Sequence, residues 1–455
     1  MKRKLAAAAV AALMAASMLS GCTPSGFDNT DLLRPPRATG DKAEIQEVIE
    51  AKAGGDYTLK YPQNGDYHSA ITTTDLDGDG TPEAIALYRP AGDSSATHVL
   101  FIKEIDGVWQ EIGDFTNQNT EVDKICLGDL DGDGMNEVIV SWSNFVAPVN
   151  QMTAYTFNGN RTTEHTVSET YSQIVVEDLT GDGHDDIILL SLGASEIPAT
   201  AKLLQFNPDV QSLFVRSVTE MSNSVTRYAS VQKGRTSDGK NAVFVDGISP
   251  NSTMTTEVLY WNDSDSSLKN PLYDTTDKNM PKNQTERISS TVCKDIDSNG
   301  AMEIPVVELM KKQVFEKDET VCNQTNWNTI STKDSKLQTV METVINATDG
   351  YYFILPEQWK NKVTARIDTT ARTMTFYEWK TTRGVQSKGS VLLTIQVYTQ
   401  KDWDERKDTS GFTEMLSASG LIYAVNIPQN GSKLLLAMSD IDKHLELLNS
   451  NANAP

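Results

Sequence analysis

Short apolar runs that follow acidic loops are the most regular feature of the chain. They are Ala84-Ile85-Ala86-Leu87-Tyr88, Val138-Ile139-Val140, Ile187-Ile188-Leu189-Leu190 and Ile304-Pro305-Val306-Val307. Each is continuous and not alternating, which fits a β-strand buried on both faces. Alternating segments come next, as in His98-Val99-Leu100-Phe101-Ile102 and Met152-Thr153-Ala154-Tyr155-Thr156-Phe157. They predict further strands of the same sheets. Upstream, Asp41 is placed to cap a short helix with Ile45, Val48 and Ile49 on one face, ended by Gly54-Gly55.

The loop before each run carries the same spacing of oxygen side chains at positions one, three, five and nine, with glycine at six. The first loop offers Asp75, Asp77, Asp79 and Glu83, and the second Asp129, Asp131, Asp133 and Glu137. The third offers Asp178, Thr180, Asp182 and Asp186, and the fourth Asp295, Asp297, Asn299 and Glu303. Calcium takes six to eight hard oxygens in flexible geometry, so these side chains are candidate ligands. The backbone carbonyls of position seven, at Thr81, Met135, His184 and Ala301, complete each candidate set. His184 needs only its carbonyl there and is expected to be exposed. Neutral Thr180 and Asn299 predict weaker binding in loops three and four. The bland alternative for any single loop is a solvated Asp-Gly turn.

Loop starts fall at 75, 129, 178 and 295. The last interval is about two periods, so a copy is expected between them. Asn241-Ala242-Val243-Phe244-Val245 supplies its apolar run, and the alignment puts Lys233, Arg235 and Ser237 where ligands would be. The repeat persists there while the metal set is lost. Five such repeats, each long enough for a four-stranded sheet, predict a mainly β fold: a β-propeller of about five blades with calcium loops. A β-sandwich array is the alternative.

These are not EF-hand loops. An EF-hand needs glutamate at position twelve, which here is Ala86, Val140, Leu189 or Val306, inside apolar strand. An acid at position nine followed by a strand resembles the FG-GAP/VCBS repeats of integrin-like propellers, over roughly residues 60–310. That resemblance implies a calcium-stapled propeller and no particular activity.

Pattern also divides the chain. Residues 41–330 hold the predicted propeller with its N-terminal helix, and the polar tract 311–345 finishes the last blade and links onward. The region 346–455 predicts a small α+β domain. Its strands are expected at Gly350 to Leu355, Arg372 to Tyr377, Ser390 to Tyr398 and Leu421 to Val425, with a terminal helix from Ser439 carrying Ile441, Leu445 and Leu448. Trp359, Trp379 and Trp403 read as core.

The start of the chain reads as an address. Lys2-Arg3-Lys4 followed by an apolar stretch to Leu19 has the form of a signal peptide over residues 1–21. Leu19-Ser20-Gly21-Cys22 resembles the lipobox of bacterial lipoproteins, which implies cleavage before Cys22 and a lipid on its thiol. An ordinary secretory signal is the alternative. Residues 22–40, with Pro24, Gly26, Pro35, Pro36 and Gly40, read as a tether. Its reach is at most about 60 Å at ~3.3–3.6 Å per residue. Cys126, Cys293 and Cys322 read as reduced core thiols. The formal net charge of −22 argues against nucleic acid as a partner.

No nucleophile elbow, zinc-protease helix or phosphate-binding loop is present, and the five histidines are scattered. The loops after the apolar runs face away from the calcium loops, and Tyr88, Trp142 and Phe145 lie at or near that rim. They are candidate contacts for glycan or protein, with blade core as the alternative. The whole arrangement also resembles lipoproteins of Gram-positive gut bacteria, through Leu32-Leu33-Arg34-Pro35-Pro36, the repeats and the Tyr351-to-Trp359 segment. That implies the outer face of the cell membrane. Two functions stay open: a membrane-anchored calcium-binding adhesion or scaffold protein, and a calcium-dependent extracellular polysaccharide hydrolase or lyase.

Overall fold

The computed structural model describes residues 40–93, 95–119, 121–143, 149–194, 197–273, 284–288, 290–311 and 322–448. The leader, Cys22 and Phe145 lie outside the described residues. Within them, the chain forms six antiparallel sheets and three short helices.

Helix α1 (Asp41–Ala53) begins at Gly40 and stops at Gly54, whose backbone is left-handed. Asp41 lies in the first turn and not at the cap. The first sheet holds β1 (Tyr57–Leu59), β2 (Ile71–Thr74), β3 (Glu83–Pro90), β4 (Thr97–Ile105) and β5 (Val108–Asn117). The second runs β6 (Glu121–Gly128), β7 (Glu137–Ser143), β8 (Gln151–Asn158), β9 (Arg161–Thr166). The third runs β10 (Gln173–Glu177), β11 (Asp186–Ser191), β12 (Thr200–Asn207), β13 (Ser212–Glu220). The expected cryptic repeat is the fourth sheet: β14 (Arg227–Arg235), β15 (Asn241–Ile248), β16 (Met254–Asn262) and β17 (Ser267–Lys269).

The packing explains why the apolar runs do not alternate. Ile85 and Leu87 of β3 pack against Val138, Val140 and Trp142 of the second sheet. The intervening Ala84, Ala86 and Tyr88 pack against Ile45 and Ile49 of α1. Ile139 faces the third sheet at Ile187 and Leu189, while Ile188 and Leu190 face the fourth at Val243 and Val245. Ala242 and Phe244 then face Ile304 of the fifth. Odd and even residues of one strand thus fill two successive interfaces. Each such side chain contributes about 1.5–3 kcal/mol on full burial.

Both ends of this stack are covered. Helix α1 takes the free face of the first sheet. The fifth sheet, β18 (Ile304–Leu309), β19 (Asn323–Ile330), β20 (Leu337–Asn346) and β21 (Tyr351–Ile354), gains a last strand, β27 (Leu445–Leu447). Its outer strands share a core with the sixth sheet, through Val344, Tyr351 and Phe353 against Trp359, Phe376 and Leu393. The sixth sheet is β22 (Val363–Asp368), β23 (Thr373–Thr382), β24 (Val385–Thr399), β26 (Leu421–Asn426) and β25 (Thr413–Ala418), in that order. No core cluster among the described residues joins the fifth sheet to the first. Among the described residues the architecture is mainly β, a series of antiparallel four- and five-stranded sheets, none of them closed.

Three expectations change here. The polar tract 311–345 contains two long strands, β19 and β20, which carry the fifth sheet past the expected break at 346. The terminal helix is one turn, α3 (Met438–Ile441), because Leu445–Leu447 pairs with Tyr351–Phe353. The C-terminal part is therefore almost wholly β, with α2 (Gln400–Arg406) capped by the Thr399 side chain. No helix among the described residues is long and apolar enough to cross a membrane.

Candidate metal loops

Loop one joins β2 to β3, loops two and three join the first two strands of their sheets, and loop four is closed by the Lys294–Glu303 bridge. The spacing is enforced by backbone donors. The position-six amides of Gly80, Gly134, Gly183 and Gly300 donate to the position-one carboxylates of Asp75, Asp129, Asp178 and Asp295 at 2.9–3.1 Å. Gly80 and Gly300 have φ of 87° and 89°, which L side chains rarely adopt. At position nine, Glu83, Glu137, Asp186 and Glu303 accept the amides of Leu76, Leu130, Leu179 and Ile296 at 2.8–3.0 Å.

This scaffold brings three of the four sets together. Ligand oxygens of Asp75, Asp77 and Glu83 lie within 4.8 Å of one another, as do those of Asp129, Asp131 and Glu137 and of Asp295, Asp297 and Glu303. Such oxygen-only triads suit a hard cation. Asp79, Asp133, Asp182 and Asn299 instead accept the amides of Thr81, Met135, His184 and Ala301 with one oxygen each. Loop three lacks the position-three carboxylate, because Thr180 stands there.

The loops differ most in what faces them from the third strand. Ala84 pairs with Ile102, Val138 with Tyr155, Ile187 with Leu204 and Ile304 with Asn328. The next residues on those strands are Lys103, Thr156, Gln205 and Thr329. Lys103 Nζ donates to Asp77 and, at 2.9 Å, to Asp79, and lies 3.2 Å from Glu83 Oε1. Gln205 Nε2 donates to Thr180 Oγ1 (3.3 Å), Asp182 Oδ2 (3.1 Å) and Asp186 Oδ1 (2.7 Å). Thr156 Oγ1 is hydrogen-bonded to His165 Nε2 at 2.9 Å. Thr329 lines an open cleft beside Asn299, Gly300 and Ala301.

Burial raises the position-nine carboxyl in all four loops, Glu83 and Asp186 included, and most in loops two and four. Burial pushes Glu137 up to about 8, with Asp131, Asp133 and Asp129 adding to the rise against the Leu130 amide. Burial and the neighbouring Asp297 and Asp295 push Glu303 up to about 7, against the Ile296 amide. In loop one, burial works against the Lys103 charge, yet its hydrogen bonds to Asp77, Asp79 and Glu83 hold the ammonium above its ordinary range. The Lys103 hydrogen bond in turn draws Asp79 below the usual carboxylate range.

Successive loops are tied into a chain. Asn136 N–H donates to the Leu76 carbonyl (3.0 Å), and Met302 N–H to that of Arg235 (2.9 Å). Asn241 Nδ2 donates to the Asp178 carbonyl (2.7 Å). Asp185 makes a two-way bond to Asp129, through both its amide and its carboxylate. His184 is half-buried and not exposed as expected: a Cβ at Gly132 would meet its Nε2 at 2.1 Å. In the fourth sheet Lys233 and Arg235 lie on β14, and a short turn from Thr236 to Lys240 replaces the long loop.

The aromatic rim is corrected. Tyr88 and Trp142 are fully buried. Tyr88 packs under α1 against Tyr57 and His98, and Trp142 Nε1 donates to Thr153 Oγ1 at 3.2 Å between the first two sheets. Neither presents a face to a ligand. Ile197, Ile288 and Leu309 are among the large apolar side chains that are exposed. Trp359, Trp379 and Trp403 are buried, and the three described cysteines are free thiols held above their ordinary range by burial. A cleft of about 290 Å³ between the first strands is lined by Tyr67, Lys124, Cys126, Val176 and Lys233, among others.

No family model matches the sequence, and no curated protein matches it. Among solved structures, a protein from Lactobacillus plantarum is 10% identical over 72% of this chain and 85% of its own, with a TM-score of 0.31. Sqt1 of Saccharomyces cerevisiae is 9% identical over 79% of this chain and 98% of its own, with a TM-score of 0.29. Rhamnogalacturonan lyase YesW is 11% identical over 82% of this chain and 91% of its own, also at 0.29. Likenesses this weak carry no argument about function.

Proposed function

We propose that the chain is a calcium-stapled, β-propeller-like surface scaffold that is carried on a bacterial membrane by a lipid at Cys22 and binds glycan or protein. The observation that carries this reading is the recurrence of one carboxylate triad at the same place in the first, second and fifth sheets. Calcium at such triads neutralises facing carboxylates and stabilises the state that holds it. The extracellular placement rests on the leader and on Cys22, and it supplies the ion at millimolar level.

The FG-GAP/VCBS resemblance fits the order of strand, loop and buried strand. The binding face we assign is the end opposite the metal loops, where Ile197, Ile288 and Leu309 are exposed. Glycan and protein remain the candidate ligands. Nucleic acid is excluded from the proposal by charge.

Calorimetric titration of the purified chain with calcium tests the metal core of this proposal. Saturable heat that is reduced in an Asp129→Asn/Asp131→Asn variant supports it. Absence of saturable heat in the unmodified chain overturns it.

A further inference from the structure

The geometry points to a divided set of loops: the Lys103 ammonium is a built-in cation that takes the calcium position of loop one, so calcium goes to loops two and four. This rests on the calcium reading above and refines it. Loop one has all four acidic side chains of the motif, so composition alone ranks it with loop two as a strong site.

Its third strand decides otherwise. Lys103 is 9% exposed, and its Nζ sits among Asp77, Asp79 and Glu83 at the point where their oxygens converge. An ammonium has three donors and no lone pair, so it cannot join a calcium shell. For a metal to enter, Lys103 has to leave, giving up charge-assisted contacts to the exposed Asp79, the half-buried Asp77 and the buried Glu83. The tether keeps the competing cation at a fixed high local concentration.

Among the described residues, no lysine or arginine forms an ion pair with the carboxylates of loops two and four, although Arg235 lines the cleft beside loop four. Threonine occupies the equivalent position in both, and the Thr156 hydroxyl is engaged by His165. In loop four, Glu303 is fully buried and its Oε1, aimed at Asp295 and Asp297, has no hydrogen-bond partner; Asp75 Oδ1 and Glu83 Oε1 of loop one have none either, but there the Lys103 ammonium lies 3.2 Å from Glu83, whereas among the described residues no cation pairs with Glu303. A buried carboxylate oxygen left in that state calls for a cation. Loop three is closed differently: the Gln205 amide spans Thr180, Asp182 and Asp186, and Arg216 Nη1 lies 3.7 Å from Asp182. Loops one and three are thus latched by their own side chains, and the two loops between and beyond them take metal.

Calcium stoichiometry of the full chain, by calorimetry and by equilibrium dialysis, reads this directly. The expected values are two ions for the unmodified chain, three for Lys103→Met and one for Thr156→Lys. Lys103→Thr, which copies loops two and four, gives a second route to three should the methionine variant fold poorly. A chain that already binds four ions overturns the inference, as does unchanged stoichiometry in every variant. No calcium bound by any of the proteins overturns the calcium reading itself, so the two failures are distinguishable.

Discussion

Asp185 holds Asp129 from both sides of its peptide group: its amide donates to the Asp129 carbonyl at 2.7 Å, and its carboxylate accepts the Asp129 amide at 3.0 Å. The acid of one loop thereby fixes the first ligand of the loop before it. Asp185→Ala removes the acceptor from a partly buried amide, a change of about 1–3 kcal/mol. The expected outcome is a lower denaturation midpoint at unchanged m-value, together with weaker calcium binding. Asp185→Asn keeps an acceptor oxygen and is expected to retain most of both.

Gly132 separates two effects that are usually mixed. Its φ is 78°, and an added Cβ would strike His184. Gly78 has φ of 69° in loop one with nothing within 4 Å. Gly78→Ala is expected to lose only the left-handed preference, about 1–2 kcal/mol. Gly132→Ala is expected to lose more, and His184→Ala in the same chain should recover the excess and not the rest. Thermal melting of the three variants checks this. Equal losses for the two glycine variants would show that His184 yields to the added methyl without cost.

A fully buried ion pair ties Asp246 of β15 to Arg287, whose backbone bridges to Met254 of β16. Arg287 Nη2 donates to Asp246 Oδ1 at 2.8 Å, and Asp246 Oδ2 accepts the Cys293 amide at 2.8 Å. Asp246→Ala strands the guanidinium and is expected to destabilise by about 3–5 kcal/mol. An Asp246→Leu/Arg287→Met double variant should recover much of that, because neither charge is then buried alone. Chemical denaturation of the single and double variants gives the comparison.

The raised carboxyls of Glu137 and Glu303 set a pH dependence. Each is pushed up in the folded chain from an ordinary 4.5, to about 8 and about 7. A group whose folded pKa is raised contributes stability while it is protonated and loses it as pH climbs through the folded value. Without calcium, melting temperature is therefore expected to fall between pH 5 and 8.5. Calcium replaces the proton, so affinity should rise over the same interval with proton release. Titrations in buffers of different ionisation enthalpy measure that release, and a pH-independent affinity would contradict it.

Much of the architecture was legible because one strand feeds two interfaces. Ile85 and Leu87 face one way and Ala84 and Ala86 the other, and that requirement writes itself as a continuous apolar run. The cryptic fourth sheet was readable for the same reason at Ala242 to Val245. The loops were legible because their ligands are local. What stayed hidden depends on partners far away in the chain. Leu445 to Leu447 has helical spacing and becomes a strand only because Tyr351 to Phe353 offers an edge. Tyr88 looks like a rim aromatic until α1 covers it. Lys103 is twenty residues past its loop, and only the pairing of Ala84 with Ile102 brings it there.

Crystals of the calcium-saturated chain test the central claim most directly, through anomalous difference density. The account predicts peaks among Asp129, Asp131 and Glu137 and among Asp295, Asp297 and Glu303, with Lys103 still seated against Asp77 and Asp79. A loop two without a peak would contradict it, and so would a peak in loop one with Lys103 swung into solvent.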